Sequence, residues 1–225
     1  MLTMNRFSKG VTGLILMCYA FSALGQKATR VPLEKENLHP VNREIQLAFD
    51  KHKGSLVQVN ALNNPGVVWI NNLNFKSGSI EFDVKGRDVL QKSFVGIAFH
   101  GRDDHSYEAV YFRPFNFNAK DSVRKSHAVQ YMALPNNDWP YLRKTFPGKY
   151  EAPVKSFVDP DAWFHVKVEV TDQLIQVFMN GDESPMLKIS PLEKFFNGKV
   201  GFWVGHESNG TFSNLVITGG QWVKK

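Results

Sequence analysis

A single cysteine, Cys18, stands in a chain of 225 residues, so no intramolecular disulfide framework can staple the fold. No Cys/His cluster has the spacing of a structural zinc site, and no metal is expected from the motifs. Lys and Arg number 27 against 21 Asp and Glu. These charges are interspersed, with no run resembling a nucleic-acid arm, so nucleic acid is not an expected partner. The chain also lacks a nucleophile elbow and a phosphate-cradling glycine loop. Helical periodicity is scarce. What is abundant is apolar and aromatic material: 43% of the residues are hydrophobic, including 18 Phe, 6 Tyr and 5 Trp. That composition excludes a disordered or low-complexity chain and supplies a sizeable packed core.

The first 25 residues have the layout of a secretory signal: Arg6 and Lys9, an apolar run from Val11 to Leu24, then Ala23-Leu24-Gly25 ahead of polar Gln26 and Lys27. The run is short for a bilayer span, so cleavage near Gly25 and export to the periplasm or the cell exterior are expected, with no transmembrane segment afterwards. Lipidation at Cys18 is not expected, because Met17 precedes it and apolar sequence follows. Loss of Arg6 and Lys9 leaves 25 basic against 21 acidic residues, lowering the formal net charge from +6 to +4. Without cysteine, the mature domain depends on packing alone.

From Ser55 onward, short runs of period-two alternation recur between Gly, Asn, Asp and Pro. This predicts an all-β fold, a two-sheet antiparallel β-sandwich with jelly-roll connections. Residues 26–54 are read as a segment joining the sandwich and 55–225 as the sandwich domain. Strands are expected at Leu56–Ala61, Val67–Asn71, Ser79–Lys85, Phe94–His100, Tyr107–Arg113, Ala128–Ala133, Phe164–Thr171, Leu174–Asn180, Lys199–Gly205 and Thr211–Thr218. Lys76-Ser77-Gly78 reads as a turn between two of them. Glu44–His52 fits a helical turn or two, or a strand. Asn116–Ser126 and the proline-rich Leu134–Asp161 read as long loops, which in sandwiches often carry binding.

Alternation assigns faces. Val95, Ile97 and Phe99 form one apolar set, leaving Phe94, Gly96, Ala98 and His100 opposite, where the small residues would leave room for a ligand. Tyr107, Tyr111 and Arg113 point one way, while Glu108 falls on the Val110 and Phe112 side. His100-Gly101-Arg102-Asp103-Asp104-His105, followed by Tyr107, Glu108, Tyr111 and Arg113, gathers imidazole, guanidinium, carboxyl and phenol groups in one hairpin. Sugars are recognised by that mixture, through ring stacking and bidentate hydrogen bonds; a polar turn beside an exposed strand is the plainer reading. A second candidate is the loop from Asn136 to Arg143. Trp139 and Tyr141 would be stacking platforms and Arg143 a planar fork, unless the aromatics merely pin the loop. Gln130 and Tyr131 must face opposite ways.

For catalysis the patterns are thin. Glu81 and Asp83 share a strand face, but nothing acidic follows at Gly86, and charged residues on a wet strand face explain them adequately. His100, His105, His127, His165 and His206 are too scattered to define a metal site. Asp103-Asp104 reads as turn acids before it reads as a calcium site, so no cofactor beyond calcium is entertained. Asn209-Gly210-Thr211 fits a glycosylation acceptor, and more simply a turn.

Several stretches, in order, resemble a known superfamily: Gly78-Ser79-Ile80-Glu81-Phe82-Asp83-Val84, Val95-Gly96-Ile97-Ala98-Phe99, Tyr107-Glu108, Trp163-Phe164-His165-Val166-Lys167-Val168, Val177-Phe178-Met179-Asn180, Gly198-Lys199-Val200-Gly201-Phe202-Trp203 and Phe212-Ser213-Asn214-Leu215. Over roughly residues 55–218 the chain resembles concanavalin A-like lectin/glucanase domains of the laminin-G-like branch, and also bacterial 3-keto-disaccharide hydrolase domains. The resemblance implies a curved jelly roll whose concave sheet and rim loops bind glycans and sometimes hydrolyse them. It implies that His100, Tyr107, Glu108, Tyr111, Arg113 and Gln130 lie on strands lining such a cleft. Gly86 departs from the glucanase Glu-x-Asp-x-x-Glu motif, and Val110 from the Gln that commonly follows the hydrolase Tyr-Glu. The leading expectation is an exported carbohydrate-binding protein contacting a saccharide through His100, Arg102, Tyr107, Tyr111, Arg113, Gln130, Trp139 and Arg143. The alternatives are a glycoside hydrolase or lyase, with Glu108 or His127 as acid/base, and a protein-binding adhesive module.

Overall fold

The computed structural model describes residues 27–193 and 197–223; the expected signal over residues 1–25, with Cys18, lies outside them. Described in chain order are β1 (Ala28–Arg30), β2 (Leu38–Val41), β3 (Ile45–Asp50), β4 (Gly54–Val59), β5 (Gly66–Lys85), β6 (Val95–Gly101), β7 (Glu108–Phe112), α1 (Ser122–Ser126), β8 (Val129–Ala133), α2 (Trp139–Thr145), β9 (Glu151–Ala152), β10 (Trp163–Val170), β11 (Ile175–Met179), β12 (Leu187–Ile189), β13 (Gly198–Val204) and β14 (Gly210–Trp222). No helix among the described residues is long and apolar enough to cross a membrane.

Strand β5 explains the layering. Its first half pairs with β2 and β13 and, at Leu73–Phe75, with the end of β14; its second half pairs with β10 and the rest of β14. One sheet therefore runs β2-β5-β13-β6-β7-β8-β9, and the other β12-β11-β10-β5-β14-β4-β3, with β1 beside β14. The turn expected at Lys76-Ser77-Gly78 does not end a strand. Gly78, at φ 133°, lets the backbone bend there while β5 continues, a conformation open to glycine. Ile45, Leu47 and Phe49 alternate in an edge strand, so Glu44–His52 holds a strand and not a helix. The segment before Ser55 thus enters both sheets.

Between the layers, Phe202 stacks on Phe212 at 4.5 Å and meets Phe82 at 6.3 Å, while Phe112 and Phe117 each pack edge-on against Phe164 at 5.3 Å. All are fully or nearly fully buried. Each ring removed from water contributes roughly 2–3 kcal/mol, the main driving force in a domain without disulfides.

The two long loops contain more order than their composition suggested. Asp121 caps α1 by accepting from the Arg124 amide at 2.9 Å, and Asp138 caps α2 by accepting from the Tyr141 amide at 2.9 Å. Glu151 and Ala152 then add β9 to the β8 edge.

On the outer face of the second sheet, Asp83 is buried and accepts from Lys53 Nζ (2.9 Å), Asn214 Nδ2 (2.8 Å) and His165 Nδ1 (2.8 Å). Burial raises its carboxyl pKa, but the donors His165, Lys53 and Asn214 outweigh burial and hold it well below the usual carboxylate range. The hydrogen bond to Asp83 raises the His165 pKa in turn. Stabilisation through Asp83 is present above the ordinary Asp value and lost as pH falls through the depressed one; that through His165 is present below the ordinary His value and lost as pH rises through the raised one. Both therefore operate fully between about pH 4 and about pH 6.5. Asp83→Asn is expected to cost about 2 kcal/mol in that window. Urea denaturation at about pH 2.5, 5.5 and 9 should show the gap to wild type narrowing at both extremes; a gap independent of pH would refute the linkage.

Candidate functional site

The room expected above Gly96 and Ala98 is filled by the protein's own rings. On the outer face of the first sheet, Trp69 lies over β13, where a Cβ on Gly201 would come 2.9 Å from the indole. Trp69 meets the Tyr107 ring edge-on at 5.8 Å, Trp203 Nε1 donates to Tyr107 Oη at 3.1 Å, and Trp203 packs on Tyr111 at 4.7 Å. Each of these four rings is at most 6% exposed, and Ala98 and Ala109 beneath them are fully buried. Small strand residues here make space for an internal aromatic layer and leave no open groove above them.

The hairpin constellation is also divided between two faces. Cross-strand pairing places Glu108 with Phe99 and Ala133, so it points between the sheets. His100 joins it there, contrary to the alternation, because the β6 register slips opposite Lys199 and Gly201 and His100 adopts φ 53°. This β-bulge turns the imidazole inward. Its Nε2–H donates to the Lys76 carbonyl at 2.8 Å, Nδ1 contacts the Glu108 carboxyl, and Tyr131 Oη donates to the other oxygen of Glu108. Glu108 is 3% exposed. Burial, followed by the neighbouring Glu108, pushes the Tyr131 pKa well above its ordinary value, so its phenol keeps its proton. Arg102 stands exposed on the β6–β7 turn, at the other end of β7 from Arg113. In the same turn, Asp103 accepts from the amides of His105 and Ser106, and Asp104 accepts from Trp69 Nε1 at 2.8 Å. Both acids thus have protein partners, and no group of three potential metal ligands occurs among the described residues.

The remaining predicted residues converge at the β8–β9 edge. Arg113 follows β7, with Nη2 donating to Tyr111 Oη at 2.8 Å and Nη1 to the His127 carbonyl at 2.9 Å. Gln130 pairs across strands with both Tyr111 and Glu151, and its amide donates to the Tyr150 carbonyl at 3.2 Å. Alternation then sends Tyr131 to the core with Glu108. From α2, Arg143 reaches Glu151 through Nε (3.2 Å to each oxygen) and Nη2 (2.8 Å), and its guanidinium lies 5.0 Å above the Trp139 ring. Trp139 and Tyr141 are 44% and 46% exposed.

Residue His127 completes the cluster: Nδ1 lies 2.7 Å from Glu151 Oε2, off the line of a hydrogen bond. Burial lowers the His127 pKa, only partly offset by Glu151, so the ring is neutral at neutral pH. Burial likewise pushes the Tyr111 phenol up to about 12, making it a protonated donor over the working range. Chemically the edge presents two guanidinium groups, one carboxylate, a neutral imidazole, an amide and exposed rings. Glu151 escaped the sequence reading because β9 has only two residues, too few for any period; Asp138 followed by Pro140 is a helix-start signal that foreshadows how α2 carries Trp139.

A hollow of about 660 Å³ lies on the other sheet, lined by Ser79, Lys167, Glu169 and Asp172 among others. It has no aromatic lining, and its Lys167 is paired with Glu169 at 2.7 Å.

No protein-family model and no curated protein matches the chain. Solved structures do. The carbohydrate binding module CBM66 from Bacillus subtilis superposes with a TM-score of 0.56 at 13% identity, covering 81% of this chain and 96% of that one. A Bacillus subtilis protein of unknown function with a galectin-like fold gives 0.54 at 13% identity, covering 87% and 96%. The exoplasmic/lumenal domain of VIP36, solved with calcium and Man3GlcNAc, gives 0.52 at 10% identity, covering 88% and 89%. With the two sheets and their shared strand, these likenesses establish the architecture: the chain has a galectin-like, concanavalin A-like β-sandwich fold.

Proposed function

We propose that this is an exported saccharide-binding protein whose ligand site is the β8–β9 edge with α2. The observation that carries the reading is the exposed Trp139 ring, held beside the Arg143–Glu151 fork and backed by buried Arg113 and Gln130. A sugar ring stacks its C–H face on an indole, and its hydroxyls take hydrogen bonds from a fixed fork of donors and acceptors. Support also comes from relatives in fold named as a carbohydrate binding module and solved with Man3GlcNAc bound. Export rests on the basic and apolar layout of the first 25 residues. This site keeps Tyr111, Arg113, Gln130, Trp139 and Arg143 as contact or supporting residues. It leaves Tyr107 to the aromatic layer, His100 and Glu108 to the core, and Arg102 to the distant turn.

A second reading, a hydrolase or lyase, is favoured by one observation: neutral, part-exposed His127 lies 2.7 Å from the Glu151 carboxylate, near enough for a small ring rotation to align the two as base and orienting carboxylate. Glu108, closed between the sheets, is the poorer candidate for that role.

Trp139→Ala is expected to weaken saccharide binding about tenfold, a loss of about 1.4 kcal/mol, without changing the melting temperature. Glycan-array and calorimetric titration check this; unchanged affinity would remove the site from the β8–β9 edge. In NMR titration His127 should titrate below the ordinary His range, and lower still in Glu151→Gln, which removes the charge favouring imidazolium; a rise in that variant would contradict the pairing. Sugar release by wild type that is abolished in His127→Ala would favour the enzyme, whereas binding without release would favour the lectin.

A further inference from the structure

The β8–β9 edge carries more positive charge than its own carboxylates neutralise. Arg113 is 5% exposed, yet its acceptors are all neutral: the His127 carbonyl, the Tyr111 hydroxyl and Gln130 Oε1 at 3.5 Å. The rings of Tyr111 and Phe94 flank it at 4.9 and 5.7 Å. Among the described residues no Asp or Glu stands within ion-pair distance of it, and the carboxylate of the cluster, Glu151, is engaged by Arg143. A buried guanidinium with no anion opposite is costly to fold, and burial depresses its pKa accordingly.

The surrounding segment repeats the imbalance. From Arg113 to Ala152 the basic residues are Arg113, Lys120, Arg124, Lys125, Arg143, Lys144 and Lys149, and the acidic ones Asp121, Asp138 and Glu151, a net of +4 against +6 for the whole chain. Two of those three acids are occupied in capping α1 and α2. The chain outside this segment and the first 25 residues is balanced in charge.

Resting on the saccharide reading of this site, we propose that its ligand is an anionic saccharide, bearing carboxylate or sulfate groups that Arg113 and Arg143 hold while Trp139 stacks on the ring. Guanidinium groups match the planar oxygens of a carboxylate and the oxygens of a sulfate through paired N–H donors. Glu151 occupies Nε and Nη2 of Arg143 and fixes the side chain beside the indole, so a ligand anion meets the outer Nη1 edge of a guanidinium already in place. The net +4 of the segment also steers a negatively charged chain toward the edge.

The test is calorimetric titration of the protein with matched oligosaccharides: an oligo-galacturonate, its methyl ester, a sulfated counterpart and neutral oligosaccharides, beside a single-stranded oligonucleotide. Wild type is expected to bind an anionic form at least tenfold more tightly than the methyl ester, and the carboxylate and sulfate arms identify which anion is preferred. Arg113→Gln and Arg143→Gln should bring acid and ester within about twofold, while Lys188→Gln on β12 leaves the ratio unchanged. Should Arg113→Gln fail to fold, the part-exposed Arg143→Gln decides alone. Equal affinity for acid and ester overturns the inference and leaves saccharide binding standing. Silence toward every saccharide overturns both. Discrimination that survives the arginine substitutions, or equal capture of the oligonucleotide, shows diffuse surface charge and overturns the inference.

Discussion

Strand β5 is the constraint on which the architecture depends. Because one strand belongs to both sheets, the layers cannot slide independently: its first half fixes the register of β2 and β13, its second half that of β10, and β14 pairs along both. The alternation of β5 must therefore suit two surroundings in succession. Val68 and Ile70 face the core from one sheet, Ile80, Phe82 and Val84 from the other, and the bend at Gly78 lies between. With no disulfide after Cys18, this shared strand and the phenylalanine cluster it helps enclose take over the role of a covalent staple.

The same economy of space governs the outer face of the first sheet. Glycine and alanine on β6, β7 and β13 form a shallow bed, and Trp69, Tyr107, Trp203 and Tyr111 lie down in it. Their polar tips are satisfied within the layer or at its margins: Trp203 by Tyr107, Trp69 by Asp104, Tyr111 by Arg113. The layer closes the middle of the sheet, so polar chemistry collects where the layer ends, beyond Tyr111. There β9 and α2 add Glu151, Arg143 and Trp139.

Most of the fold was legible because its signal is local. Ten expected strands all appear, most ends within a residue or two although β14 runs four residues past Thr218, since period two together with Gly, Asn and Pro breaks records both strand and turn. Joining two of them into β5 was not legible: a bend at glycine and a true turn look alike in sequence. The face of His100 was misread for a related reason, because a bulge inserts one residue and inverts every later assignment on that strand. Of the candidate site, alternation correctly grouped Tyr111 with Arg113 and separated Gln130 from Tyr131. It could not reveal that Trp69 and Trp203, distant in the chain, fill the space over Gly96, nor that Glu151 returns to meet Arg143 and His127. The aromatic filling is a long-range pairing that no window of sequence contains; Glu151 lies only eight residues from Arg143, but its two-residue strand has no period to announce it.

The site's polar groups and its exposed ring, from Tyr111 to Glu151, come from one uninterrupted stretch that closes the sheet edge farthest from β5. The same stretch also builds the core: Phe112 and Phe117 pack on Phe164, and Tyr131 reaches Glu108 between the sheets. Frame and edge chemistry are therefore interleaved residue by residue along it. Only its outward side chains, such as Trp139 and Tyr141 on α2, can be exchanged without opening a cavity between the layers.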